Sequence, residues 1–182
     1  MTAKRVVLLN GPIGAGKTTL GRAAARILGG RFIDGDDYAD HSRPWFCSLR
    51  RTTDAIVETA LRALREAAPV VIVAYPLNRA TWFYICRRLH DAGVATGVIS
   101  LRASYERIIG GPRGRAFTDA ERERIRVMLA EGYAERPFSD LIFDTDLVDF
   151  DTTAIQLAAA IQGLQLSIAA PGLAPHSAQD PS

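Results

Sequence analysis

Val6-Val7-Leu8-Leu9-Asn10 runs directly into Gly11-Pro12-Ile13-Gly14-Ala15-Gly16-Lys17-Thr18, and this into the apolar-periodic segment from Thr19 to Leu28. An apolar run of strand length, a glycine-rich loop and a helix thus follow one another, and the loop reads G-x-x-x-x-G-K-T. The spacing has a chemical reason. Glycines carry no Cβ, so consecutive backbone N–H groups turn inward around a phosphate at the positive end of the helix. Lys17 then reaches the outer phosphates of a nucleotide, and the Thr18 hydroxyl binds Mg²⁺. Gly11, Pro12, Ile13, Gly14, Ala15, Gly16, Lys17, Thr18 and Thr19 are therefore the expected nucleotide-binding residues.

Outward from this loop, short apolar runs alternate with longer stretches of helical periodicity, which indicates an α/β chain with helices on both faces of a parallel sheet. Strands are expected at Val6 to Asn10, Arg31 to Ile33, Val70 to Tyr75, Thr96 to Leu101 and Leu141 to Phe143, whose near-continuous Val, Ile and Leu content suits strands buried on both faces. Helices are expected from Lys17 to Leu28, from about Arg50 to Ala67, from Arg79 to Asp91, near Ser104 to Ile109, and from Asp119 to Tyr133 and Thr153 to Gln165. Thr118-Asp119-Ala120-Glu121 is a capping-box pattern, and Asp151 or Thr152 is the expected cap of the last helix. Residues 1–166 read as one domain, and the Ser, Ala, Pro and Gly of 167–182 as a disordered tail.

Composition narrows the function. The chain has 182 residues, 48% of them hydrophobic, which is enough for one core and too little for two ordinary domains. A net charge of +2 gives no reason to expect nucleic acid or an anionic membrane as partner. With no signal-like N-terminus and no apolar run of membrane length, a soluble cytoplasmic chain is expected. Cys47 and Cys86 stand apart, with no Cys or His at metal spacing, and read as reduced thiols. Lysine occurs only at Lys4 and Lys17, and Lys17 is where the loop needs one.

Neither an N-K-x-D guanine-reading motif nor a D-x-x-G switch occurs in a suitable place, and a large ATPase would need more chain. Instead, Phe32-Ile33-Asp34-Gly35-Asp36-Asp37-Tyr38 places carboxylates at the C-terminal end of the second strand, the edge where open α/β sheets bind ligands. The same residue types also suit a turn and helix cap.

With these motifs, the Arg113-Gly114-Arg115 segment and the late strand Asp140-Leu141-Ile142-Phe143-Asp144-Thr145-Asp146, residues 4–165 resemble the small P-loop kinases of the shikimate kinase and gluconate kinase group, within the adenylate-kinase-like fold. The resemblance implies a three-layer P-loop NTPase fold with sheet order 2-3-1-4-5. It also implies an ATP-dependent phosphotransferase that acts with Mg²⁺. Asp34 would then help hold Mg²⁺ through water beside Thr18, and Asp36 would contact the acceptor hydroxyl and take or orient its proton. Arg115 would stabilise the charge in transfer, with Arg107 or Arg113 along the adenine or the phosphates, and Thr145 would border the adenine. The alternative for Thr145 is a plain strand-to-loop transition.

Residues 107–117 carry Gly110, Gly111 and Pro112 among the arginines, the composition of a closing lid. Each arginine is otherwise an ordinary solvated charge, as Arg122, Arg124 and Arg126 are expected to be. The acceptor region is expected at 36–51, with Asp34, Asp36, Arg50 and Arg79 as substrate-binding residues; His41 reads as a surface residue, and Arg43 with Arg50 and Arg79 would suit a nucleotide acceptor. Here the chain departs from its group. Ala74-Tyr75-Pro76 replaces the glycine triplet of the shikimate kinases, and the His-Pro pair of the gluconate kinases is absent. Trp45, Phe46, Trp82 and Tyr84 are candidates for an aromatic pocket, although the helical spacing of Trp82 and Ile85 favours the core.

The leading expectation is transfer of the γ-phosphate of ATP to a hydroxyl of a small metabolite or natural product. A nucleoside or nucleotide kinase, an antibiotic phosphotransferase and a non-catalytic ATP-binding regulatory protein remain alternatives. If 107–117 is a lid, protease cleavage between 110 and 115 should slow when ATP, Mg²⁺ and acceptor are all present. Equal cleavage in every condition, read on a gel, would count against closure.

Overall fold

The computed structural model describes residues 4–39, 45–110, 116–146 and 148–166, with the side chains of 45–48 left aside. Five strands, β1 (Arg5–Asn10), β2 (Arg31–Asp34), β3 (Val71–Ala74), β4 (Ala95–Arg102) and β5 (Leu141–Asp144), form one parallel sheet in the order β2-β3-β1-β4-β5. That is the expected order. The helices are α1 (Lys17–Ile27), α2 (Trp45–Arg65), α3 (Arg79–Asp91), α4 (Tyr105–Gly110), α5 (Asp119–Ala130) and α6 (Phe150–Gly163).

Alternation along β1 divides the core. Val7 and Leu9 pack with Leu20 and Ala24 of α1, Ile125 of α5 and Leu157 and Ile161 of α6. Val6 and Leu8 face the other way, toward Ile56, Val57 and Leu64 of α2 and Ile85 and Leu89 of α3. This two-sided burial is why β1 and β3 read as unbroken apolar runs. Because all neighbours are parallel, Asn10, Asp34, Ala74, Arg102 and Asp144 end on one edge of the sheet, and the phosphate loop leaves β1 there.

Helix ends depart from expectation for local reasons. Between Pro44 and Arg50 no glycine or proline interrupts the chain, and α2 begins at Trp45, not near Arg50. It stops at Arg65 because Ala67 adopts a left-handed φ of 68°, letting the Ala68 N–H bond the Ala63 carbonyl at 3.1 Å. Gly132, at φ 73°, ends α5 early, as the Tyr133 N–H reaches back to Met128 at 3.0 Å. The last helix is capped by Asp149, whose carboxylate accepts from the Thr152 N–H at 3.0 Å, and not by Asp151 or Thr152. The Thr118 and Glu121 capping box is present as expected.

Cys86 is buried in α3, and burial pushes its thiol up to about 12, which leaves it protonated. Among the described residues no helix is long and apolar enough to cross a membrane, and no cluster of three or more metal-ligating side chains gathers. The tail 167–182, and 111–115 of the expected lid, lie outside the described residues.

Leu157 is fully buried between α6 and the sheet. Leu157→Ala should therefore lower stability by about 2–5 kcal/mol, measured by urea denaturation.

Candidate active site

The loop between β1 and α1 is glycine-dependent in conformation and in space. Gly14 and Gly16 hold φ of 81° and 93°, where a side chain is strained. A Cβ on Gly14 would also lie 2.6 Å from Ile108 and 3.1 Å from Phe117, so α4 and the segment before α5 close directly over the loop. Gly16 is the N-terminal flank of α1, and that helix has no side-chain cap, whereas Asn78, Thr118 and Asp149 cap α3, α5 and α6. The first-turn N–H groups of α1 are thus left for an anion at the positive end of the helix.

Lys17 folds back into this loop, donating to the carbonyls of Gly11 and Pro12, both at 2.8 Å. As a residue it is half-buried, yet burial of the ammonium is the dominant influence and brings its pKa down to about 8, against the opposing pull of Asp36 and Asp34. The Thr18 hydroxyl donates to Asp34 at 2.8 Å. Two hard oxygen donors therefore meet beside the lysine, a pairing that suits a hydrated Mg²⁺.

A cleft of about 380 Å³ opens above the loop, lined by Ile13, Gly14, Gly16, Lys17, Thr18, Thr19, Asp36, Ile108, Phe117 and Glu121. The Asp34-Gly35-Asp36 turn separates its two carboxylates. Asp34 points to Thr18 and accepts from the Asp36 N–H at 3.3 Å, while Asp36 lines the cleft. Ile108, Phe117 and Glu121 escaped the sequence reading, because nothing in the spacing of apolar residues says which of them turn toward a ligand.

Tyr75 was also missed as a neighbour of this turn. Its ring packs so closely on Gly35 that a Cβ there would overlap it, and burial, with Asp36 and Tyr133 adding, holds the phenol above its usual pKa. The expected acceptor residues are more dispersed. Arg50 and Arg79 are exposed on α2 and α3, and neither lines the cleft. Tyr84 does not line this cleft: its hydroxyl donates to Asp54 at 2.5 Å beside Arg88, tying α3 to α2. Trp82 stacks on Phe138 at 4.6 Å against the core, as its spacing suggested, and Ile85 is buried. His41 and Arg43 lie outside the described residues, as do the side chains of Trp45 and Phe46.

At the far side of the cleft, Arg107 is exposed on α4, while Arg113 and Arg115 lie outside the described residues. Thr145 is buried, and both its amide and its hydroxyl donate to the Arg102 carbonyl, at 3.0 and 3.2 Å. These two donors brace the strand-to-turn transition. Asp144 grips Arg102 through two hydrogen bonds of 2.6 and 2.7 Å, which hold its carboxyl below the usual range.

The fold recurs in known proteins. The shikimate kinase of Histophilus somni (strain 2336) is 58% identical over 36 residues, 20% of this chain and 21% of that protein. The match thus spans about a fifth of the length of the curated relatives. A gluconokinase from Sinorhizobium meliloti 1021 superposes with a TM-score of 0.57 at 17% identity, over 88% of this chain and 94% of its own. The shikimate kinase from Acinetobacter baumannii, solved with shikimate, does so at 0.55 and 20%, with the same coverage of 88% and 94%. The fold is the one these P-loop kinases share. No family model matches the chain.

If the loop binds a nucleotide, the depressed pKa of Lys17 makes that binding pH-dependent. Phosphate binds the ammonium form, so its pKa rises on binding and affinity is fully present below about 8. Above that value, MgATP affinity should fall by up to about tenfold per pH unit, because a proton must be taken up. Lys17→Ala should bind more weakly at every pH and lose this slope, as calorimetry from pH 6.5 to 9.5 (roughly spanning the transition) would show.

Proposed function

We propose that this protein is an ATP-dependent phosphotransferase that moves the γ-phosphate to a hydroxyl of a small metabolite or natural product. One observation carries the reading. Asp36 lines the cleft that also holds Lys17 and Thr18, while Asp34 is bonded to the Thr18 hydroxyl. This supports reading Asp36 as the carboxylate for the acceptor and Asp34 as the one for the metal, on two sides of Gly35.

The α1 N-terminus and the loop amides bind the phosphates, and Lys17 exchanges its two carbonyl partners for phosphate oxygens. Thr18 and Asp34 would hold Mg²⁺, which when bound supplies charge neutralisation across the phosphates. The acceptor oxygen forms its bond to the γ-phosphorus as the bond to the ADP oxygen breaks, and Asp36 orients the hydroxyl and takes its proton. Ile108 and Phe117 exclude water from one wall. Arg113 and Arg115, at the end of a glycine-flanked segment, are assigned to the transferring charge by resemblance.

Neither shikimate nor gluconate is proposed as the acceptor, since Tyr75 stands where the shikimate kinases keep their glycines. A screen of hydroxylated metabolites, nucleosides and antibiotics for acceptor-dependent ADP release tests the reading. ATP binding with no turnover on any acceptor would favour a regulatory protein instead. With an acceptor in hand, Asp36→Asn should lower turnover by about a hundredfold or more at nearly unchanged ATP affinity. Asp34→Asn should instead raise the Mg²⁺ concentration needed for half-maximal rate. The same shifted Mg²⁺ dependence in both variants would contradict the division.

A further inference from the structure

Every residue of β1 from Val6 to Leu9 is apolar, yet Asn10, fully buried at its end, is not. Burying an amide costs free energy unless its polar atoms are hydrogen-bonded. Here both Nδ2 protons and Oδ1 have partners. The Asn10 Nδ2 donates to the Ser100 hydroxyl of β4 and to the Tyr133 carbonyl, both at 2.8 Å, and Oδ1 accepts from the Leu77 N–H at 2.9 Å. A backbone N–H only donates, which settles the orientation of the amide.

Arg136 closes a circuit through two of these partners. Its Nε donates to the Leu77 carbonyl at 3.2 Å, and its guanidinium lies 3.9 Å over the Tyr133 ring. The Leu77 peptide is thus held on one side by Asn10 and on the other by Arg136. None of these residues lines the cleft, but three of them adjoin segments that build it. Asn10 immediately precedes Gly11, whose carbonyl accepts from Lys17. Leu77 lies two residues after Tyr75, the side chain packed on the Asp34-Gly35-Asp36 turn, and one before Asn78, the cap of α3. Tyr133 follows α5, whose first turn brings Glu121 to the cleft.

We propose that Asn10 is a positioning residue that holds the turn after β3, and through Tyr75 the Asp34-Gly35-Asp36 turn, in register with the phosphate loop through this Asn10, Leu77, Arg136 and Tyr133 circuit. An aliphatic residue would fill the same space at the strand end but could not bind the turn after β3 to the root of the loop. The proposal rests on the phosphate loop binding nucleotide, and on the phosphotransfer reading only for its effect on turnover.

Ser100→Ala is the comparison that separates positioning from stability, because it removes one buried partner of Asn10 and leaves the links to Leu77 and Tyr133 intact. Asn10→Ala and Ser100→Ala should both lower the melting temperature. In the wild type and in Ser100→Ala, saturating MgADP should slow hydrogen exchange at the Leu77 amide by about tenfold, since a held Gly11 suppresses local opening of the turn. In Asn10→Ala that response should disappear, while MgADP affinity stays within about threefold of wild type. Should Asn10→Ala not fold, Asn10→Ser, too short to span Leu77 and Tyr133 together, takes its place. Once the acceptor screen supplies a substrate, the Asn10 variant should lose about tenfold or more in kcat with little change in the KM for ATP, and Ser100→Ala should stay near wild type. MgADP binding with an unresponsive Leu77 amide in the wild type, or an equal response in Asn10→Ala, would overturn the proposal. Failure of the wild type to bind MgADP would remove the nucleotide reading and this proposal with it.

Discussion

β1 is hydrogen-bonded on both sides, to β3 and to β4, and is covered on both faces, so the chain leaving it at Asn10 must pass over the C-terminal edge of the sheet. That constraint organises the molecule. It delivers Gly11 to Thr18 to the place where β2 ends in Asp34, and it aims the N-terminus of α1 across the edge. A parallel sheet with this order collects the ends of all its strands together, and the cleft is built from what those ends carry.

Charge at the edge is balanced, not neutral. Burial of the Lys17 ammonium works against its charged form, and the carboxylates of Asp34 and Asp36 work for it. The loop carbonyls of Gly11 and Pro12 meanwhile give the ammonium partners of the right polarity but no counter-charge. A polyanion offers both partner and counter-charge at once, which gives this site a physical preference for phosphate over water. The uncapped end of α1 adds to the same preference, as the other helices with resolved caps use side chains at that position.

Much of this was legible in the residues. The loop is a local object, because its glycines, lysine and threonine act within eight positions of one another and their spacing alone states the geometry. Asp34 and Asp36 were legible for a similar reason, sitting at a strand end that opens on the ligand edge. The arginines were less so. Arg50, Arg79 and Arg107 match roles in sequence position but stand exposed on their helices, and nothing local distinguishes a solvated arginine from one that binds. Thr145 was read two ways, and its bonds to Arg102, a residue of another strand, were not legible in either reading.

Asn10 illustrates the same boundary more sharply. In the sequence it is only the last residue before a glycine loop, and its partners lie 67, 90 and 123 positions away. By itself the sequence determined the α/β class and the phosphate loop with its lysine and threonine, together with the placing of two carboxylates after β2. These depend on backbone conformation and side-chain periodicity over short spans. Tertiary structure alone decided that Asp36 lines the cleft, that Ile108 and Phe117 cover the loop, and that Asn10 bonds Leu77, Ser100 and Tyr133. Such contacts join segments distant along the chain, and their geometry exists only once the sheet has set the strands side by side.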